Sequence, residues 1–154
     1  MKHIDTYITE KLKLNKDSST RYNYHPKNKD ELENLVIKLC KERGKDADLN
    51  DIDVSEIKDM SFLFTGVDPH NIDISQWDVS NVENTIGMFN QCTYFNCDLS
   101  HWDVSNVKTM FWMFDGCENF DSDLSDWNVS NVKDMTDMFN NCDSLRKTPG
   151  WYKK

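Results

Sequence analysis

Histidines and repeated serines are the residues that first suggest catalysis or metal binding. The four histidines, His3, His25, His70 and His101, are scattered, and no H-E-x-x-H or C-x-x-C pattern stands beside them. The serines that recur at positions 55, 80, 105 and 130 lie outside any G-x-S-x-G motif. None of the five glycines belongs to a phosphate-binding loop. We therefore predict a protein that is not an enzyme and has no metal or cofactor.

Aspartates form the most suggestive pattern, because they recur in two columns with a spacing of 25 residues. One column contains Asp48, Asp73, Asp98 and Asp123, and the other contains Asp53, Asp78 and Asp103 followed by Asn128. Calcium binding is one alternative, although the D-x-[DN]-x-[DN]-G loop is missing. An acidic surface that faces a partner is a second. The favoured interpretation is that these side chains accept hydrogen bonds from the backbone of turns.

The same 25-residue period runs through the apolar residues, so the chain is predicted to be a repeat protein. The columns in phase are Leu49, Ile74, Leu99 and Leu124; Val54, Val79, Val104 and Val129; Phe64, Phe89, Phe114 and Phe139; Trp77, Trp102 and Trp127; and Cys92, Cys117 and Cys142. Ile52 and Val67 replace tryptophan and cysteine in the first copy, which is typical of a terminal repeat.

Each repeat has two halves with different periods. Apolar and polar residues alternate over 98–104, which predicts a short strand and a turn. Val107, Met110, Met113, Phe114 and Cys117 follow the spacing of one helical face, which predicts a short helix capped by Ser105 or Asn106. Stacking such coils gives an α/β solenoid with a short parallel sheet. Tryptophans and cysteines of the columns are expected in its core, the cysteines as reduced thiols.

The repeat motif resembles the BspA-like leucine-rich repeat family. The resemblance is carried by W-D-V-S-N-V at 77–82 and 102–107, W-N-V-S-N-V at 127–132 and D-M-x-x-M-F-x-x-C at 134–142. It implies a right-handed solenoid like that of leucine-rich repeats, used for binding and adhesion, without catalytic residues. The chain shows no signal peptide or lipid-attachment cysteine, so it is most similar to intracellular or phage-encoded bacterial members, and we expect it in the cytoplasm.

The predicted domain organisation has three parts: residues 1–47, an N-terminal arm and capping helix; residues 48–145, about four repeats; and residues 146–154, a basic tail. Leu32, Leu35, Val36, Leu39 and Cys40 share one face of a helix expected over residues 28–45, with Gly44 at its end. Ile4, Tyr7, Ile8, Leu12 and Leu14 indicate either a short segment folded onto the domain or an arm that docks on another molecule. The arm would allow oligomers or larger assemblies.

Charge is distributed unevenly along the chain. Residues 1–47 carry a net charge of +3, and the last nine residues carry +4. Between them, the repeats hold three lysines and 19 acidic residues, a net charge of −16. We expect the repeats to repel nucleic acid and anionic lipid and to attract a basic protein surface.

Positions that differ between the repeats are the candidates for partner binding, since shared positions build the scaffold. In the predicted helix they point away from the core, and they comprise Phe62, Ile86, Phe111 and Trp112, with Tyr94 nearby. We predict that these five residues form an exposed apolar patch of a protein–protein interaction module whose partner is a protein of unknown identity. Packing of the N-terminal segment on this patch is the competing interpretation. Other functions considered are a structural part of an assembly such as a virion and an acidic inhibitor that mimics nucleic acid.

Overall fold

The computed structural model describes residues 21–67 and 69–153, and one helix, α1, spans Lys29–Arg43. The Asn28 side chain accepts a hydrogen bond from the Glu31 N–H at its start, and Gly44, with a φ of 87°, ends it. Its buried residues are Leu32, Leu35, Val36 and Leu39. The helix predicted over 28–45 is thus confirmed. The arm or helix predicted around residues 4–14 lies outside the described residues.

The predicted α/β solenoid is wrong. In the part of the chain that the structure describes, no repeat contains a regular strand over the equivalents of 98–104 or a helix over those of 107–117. Pairing between repeats consists of isolated parallel bridges, which join Tyr24 to Ile52, Asp48 to Asp73, and successive members of the column Asp59, Asn84, Thr109 and Asp134. The repeats are therefore built from turns.

Alternating hydrogen bonds explain why the apolar spacing resembled a helix. The N–H groups of Met113, Asp115 and Cys117 close turns by donating to carbonyls three residues earlier, at 3.0–3.2 Å. The N–H groups of Met110, Trp112, Phe114 and Gly116 instead donate to carbonyls of the following repeat, at 2.8–3.2 Å. Trp112 and Gly116 have positive φ angles of 56° and 76°, which a right-handed helix does not allow. Successive turns, not an α-helix, place the apolar residues on one side.

The buried columns form the core, as the sequence analysis predicted. Centroids of successive phenylalanine rings in the column of Phe64, Phe89, Phe114 and Phe139 lie 5.2, 5.3 and 5.7 Å apart. The tryptophan column is 4–5% exposed, and each indole Nε1–H donates to a carbonyl of the preceding repeat: Trp77 to Leu49, Trp102 to Ile74 and Trp127 to Leu99, at 2.9–3.2 Å. These contacts occur between neighbouring repeats, so each repeat completes the core of the one before it.

The two ends of the stack are covered differently. At the N-terminal end, Tyr24 pairs with Ile52 of the first repeat. The buried face of α1 packs on the core of the same repeat, and Lys29 Nζ donates a hydrogen bond of 2.8 Å to Ser61 Oγ. At the C-terminal end, Trp151 Nε1 donates to the Leu124 carbonyl at 2.9 Å, and the Tyr152 ring packs edge-on against Phe139. No helix in the described ranges is both long and apolar enough to cross a membrane.

Candidate binding surface

Aspartates of the predicted columns build turns, which confirms the favoured interpretation. Asp98 Oδ1 accepts from the Ser100 N–H at 3.0 Å, and Asp103 Oδ1 accepts from the Ser105 N–H at 3.0 Å. Hydrogen bonds from Ser100 and Ser105 lower the pKa of Asp98 and Asp103. Asn128, which replaces aspartate in the fourth copy, makes the same bond. Within residues 21–67 and 69–153, no cluster of three or more metal-binding side chains occurs.

A third column of aspartate and asparagine residues builds the same kind of turn and was not predicted from the sequence. Asp59, Asn84 and Asp134 each accept a hydrogen bond from the N–H two residues later, at 2.8–3.0 Å. The sequence does contain a signal for these turns, because aspartate or asparagine stands at three of the four equivalent positions 59, 84, 109 and 134. The turns that these residues begin lie directly before the positions that differ between repeats.

Cysteines of the repeat column are thiols, of which Cys92 and Cys117 are buried and Cys142 is half-buried. Cys117 Sγ and Cys142 Sγ donate to the carbonyls of Phe89 and Phe114, each at 3.0 Å. Burial raises the pKa of Cys142 to about 12 and that of Cys97 to about 11, and it raises the pKa of Cys117 further still. The raised pKa keeps these thiols protonated at neutral pH.

Positive φ angles recur at fixed positions of the repeats, and one of these columns carries large aromatic residues. Phe62, Gly87, Trp112 and Asp137 have φ angles of 53°, 54°, 56° and 53°, and we call them the left-handed column. Glycine adopts this conformation freely, whereas a bulky residue does so at a cost on the order of 1–3 kcal/mol. Phe62 is nevertheless 40% exposed and Trp112 is 39% exposed. Two large aromatic side chains are thus held towards solvent on a strained backbone.

The structure brings four of the five predicted site residues together. The Phe62 ring lies over Gly87 and occupies the space that a Cβ atom at position 87 would need. Ring centroids of Phe111 and Trp112 are 4.3 Å apart. The Phe62 N–H donates to the Ile86 carbonyl at 2.8 Å, and the Gly87 N–H donates to the Phe111 carbonyl at 2.9 Å. We call Phe62, Ile86, Phe111 and Trp112 the aromatic strip; Ile86 and Phe111 are its half-buried members.

Tyr94 belongs to a different environment. It is 49% exposed, and its ring packs against His70 of the preceding repeat with a centroid distance of 4.5 Å. In the described part of the chain, no aromatic contact joins Tyr94 to the aromatic strip. The five predicted residues therefore divide into a strip of four and a separate tyrosine.

Carboxylates accompany the aromatic strip. Asp59 opens the turn that leads into Phe62, and Asp137 takes the position after Trp112 in the left-handed column. The repeats that carry the strip have a net charge of −16. A partner that covers the strip would therefore meet an apolar centre within an acidic surround.

The fold and this surface define a class of protein: a stack of 25-residue turn-rich repeats that exposes aromatic side chains from strained positions. The chain belongs to the family described as "Mycoplasma protein of unknown function, DUF285", whose family model matches residues 32–151. The match extends from α1 to Trp151, and the family is related to the BspA-like repeats. No curated protein and no solved structure shows significant similarity to the chain.

Proposed function

We propose that this protein is a non-catalytic interaction module that binds a protein partner through the aromatic strip. The observation that carries the proposal is the combination of positive φ and exposure at Phe62 and Trp112. Packing within the chain offsets only part of the backbone strain, because about two fifths of the surface of each residue remains in water. A bound partner would bury them, and exposed aromatic clusters are typical of binding sites.

The partner surface should combine an apolar pocket with lysine or arginine at its edge. The apolar part would receive Trp112 and Phe62, and the basic part would face the acidic repeats. The resemblance to BspA-like repeats supports a binding role of this kind, since binding and adhesion are what that family implies.

Affinity capture with matched variants tests this function. Wild-type protein, Trp112→Asn, Phe111→Ala and Tyr94→Ala would be immobilised and exposed to a lysate of the native host. Asparagine tolerates positive φ, so Trp112→Asn removes the ring without adding backbone strain. We expect one stoichiometric partner that is retained by wild type and by Tyr94→Ala and is lost with both strip variants. Equal capture by all four proteins would contradict the proposal.

An acidic inhibitor that mimics nucleic acid is the second candidate, favoured by the exposed columns of aspartates. Asp73, Asp98 and Asp123 are all exposed and follow one another along the stack. This function predicts a basic partner that binds Trp112→Asn as well as wild type and dissociates steeply as salt concentration rises. The same capture at two salt concentrations separates the two candidates.

A further inference from the structure

The same pattern of three backbone hydrogen bonds recurs at successive boundaries between neighbouring repeats. Between the last two repeats, the Lys133 N–H donates to the Lys108 carbonyl at 2.8 Å. In the opposite direction, the Met110 N–H donates to the Asp134 carbonyl at 2.8 Å and the Trp112 N–H to the Thr136 carbonyl at 3.2 Å. One repeat earlier the same three bonds recur, at Lys108, Thr85 and Gly87. The set therefore defines how a further segment would add to the stack.

At the C-terminal end, the equivalent three groups lack partners. They are the Lys133 carbonyl and the N–H groups of Met135 and Asp137, none of which forms a hydrogen bond with another described residue. Unpaired backbone groups in a row are a template for an added extended segment. At the N-terminal end the equivalent groups are the Lys58 N–H and the carbonyls of Asp59 and Ser61, which also have no backbone partner among the described residues. There α1 covers the segment, since Met60 is fully buried and Ser61 Oγ accepts a hydrogen bond from Lys29 Nζ.

The C-terminal residues cover only part of this end. Trp151 and Tyr152 lie over the core side, where Tyr152 contacts Phe139. Beside them is an open groove of about 420 Å³. Lys133, Met135 and Asp137 line this groove together with Tyr152 and Lys153. The three unpaired backbone groups thus belong to residues that line this groove.

We propose that this groove binds an extended peptide segment of a partner protein, which adds to the stack in parallel with residues 133–137. The first paired residue of the peptide donates its N–H to the Lys133 carbonyl. Carbonyls one and three residues later accept from the N–H groups of Met135 and Asp137. Between those two carbonyls, an unbranched apolar side chain would continue the column of Met60, Thr85, Met110 and Met135 and cover the half-buried Met135.

Two observations favour a peptide over a second copy of this chain. The N-terminal end of a second copy is covered by α1 and residues 23–24, so it cannot present the required segment. A copy related by a two-fold axis would meet the groove in antiparallel orientation, whereas all bridges between described residues are parallel. The proposal does not depend on the aromatic strip, since none of the three backbone groups belongs to it.

Peptide binding to matched variants tests this inference. The probe is a fluorescent, acetylated and amidated peptide with the sequence of residues 131–138, which contains the N–H, the carbonyls and the methionine that the groove requires. Met135→Pro removes an N–H that has no hydrogen-bond partner within residues 21–67 and 69–153, and Asp134 before it already forms a parallel bridge. Met135→Leu is the control because it keeps the N–H and a similar side chain. We expect Met135→Pro to bind the peptide about fivefold more weakly and Met135→Leu to bind it as wild type does.

Three results would overturn the inference. One is the absence of saturable binding to wild type up to about 1 mM peptide, the weak end of measurable affinity. Another is equal affinity of Met135→Pro and Met135→Leu, with urea unfolding showing that both variants are folded. The third is reversible dimerisation of wild type in sedimentation velocity that Met135→Pro abolishes, which would make a second copy the occupant. Amide chemical shifts supply a positional check, and peptide-induced changes should centre on Met135 and Asp137, not on Trp112.

Discussion

Two columns that are only two residues apart in each repeat have opposite properties. The column of Phe64, Phe89, Phe114 and Phe139 keeps one residue type, is buried and stacks ring on ring. The left-handed column holds phenylalanine, glycine, tryptophan and aspartate, and its large members are exposed on a strained backbone. The first three members of both columns donate their N–H groups to the following repeat. The same backbone pairing thus supports a column of constant, buried residues and a column of variable residues, and only the second suits the proposed binding role.

The largest effect is expected from the buried column. Phe114→Ala should destabilise the protein by about 3–5 kcal/mol, because it leaves a cavity in a fully buried stack. The lost partners include Phe89 and Phe120, whose ring centroids lie 5.3 and 4.2 Å from that of Phe114. Urea unfolding followed by circular dichroism measures the change. A loss below about 1 kcal/mol would show that the repeats do not depend on this stack.

A smaller effect is expected where the left-handed column contains glycine. Gly87→Ala should cost about 1–2 kcal/mol, since alanine is strained at a φ of 54° and its Cβ would displace the Phe62 ring. Gly66→Ala is the control, because Gly66 has a φ of 80° but open space around its Cβ position. If the two substitutions cost the same in urea unfolding, the Phe62–Gly87 contact contributes nothing.

Much of the core was predictable from the sequence because burial follows column identity. The 25-residue period identified the phenylalanine, tryptophan and leucine columns as core, and the 3.6-residue spacing with Asn28 and Gly44 at the ends identified α1. The secondary structure of the repeats was not predictable from spacing alone. Turns closed between residues i and i+3 place side chains at the same intervals as a helix.

Glycine, asparagine and aspartate contained the signal that separates turns from a helix. The left-handed column includes Gly87 and Asp137, and four residues later a second column reads Gly66, Gln91, Gly116 and Asn141, all with positive φ. Residues that favour the left-handed region, recurring at two fixed positions, argue against a helix. For the candidate site, variability between repeats predicted Phe62, Ile86, Phe111 and Trp112, and the structure places these four in neighbouring repeats; their role in binding stays a prediction. The contact of Tyr94 with His70 depends on packing between repeats, which spacing does not reveal.

Replacing the exposed tryptophan should separate folding from binding. Trp112→Asn should change the free energy of unfolding by less than about 1 kcal/mol, because asparagine tolerates the φ of 56° and the lost ring is 39% exposed. The same urea unfolding as for Phe114→Ala provides the measurement. A loss above about 2 kcal/mol would mean that the packing of Trp112 on Phe111 supports the fold, and that the two columns differ less than their exposure indicates.

The smallest change in the free energy of unfolding at neutral pH is expected for the exposed turn column that contains Asp103 and Asn128. Asp103→Asn should change stability by less than about 0.5 kcal/mol at pH 7, because Asn128 makes the same turn bond with Ser130.

The Asp103→Asn substitution should change stability measurably only at acidic pH. Hydrogen bonds from Ser105 hold the pKa of Asp103 in the folded protein below its ordinary value of 3.8. Ionised Asp103 therefore stabilises the folded state above pH 3.8, and this stabilisation is lost as the pH falls through the folded pKa. Urea unfolding between pH 7 and pH 3 should show a smaller acid loss for Asp103→Asn than for wild type or for Asp126→Asn, an exposed carboxylate outside the columns. Identical pH dependence of all three proteins would mean that the column is retained for its charge and not for its turn geometry.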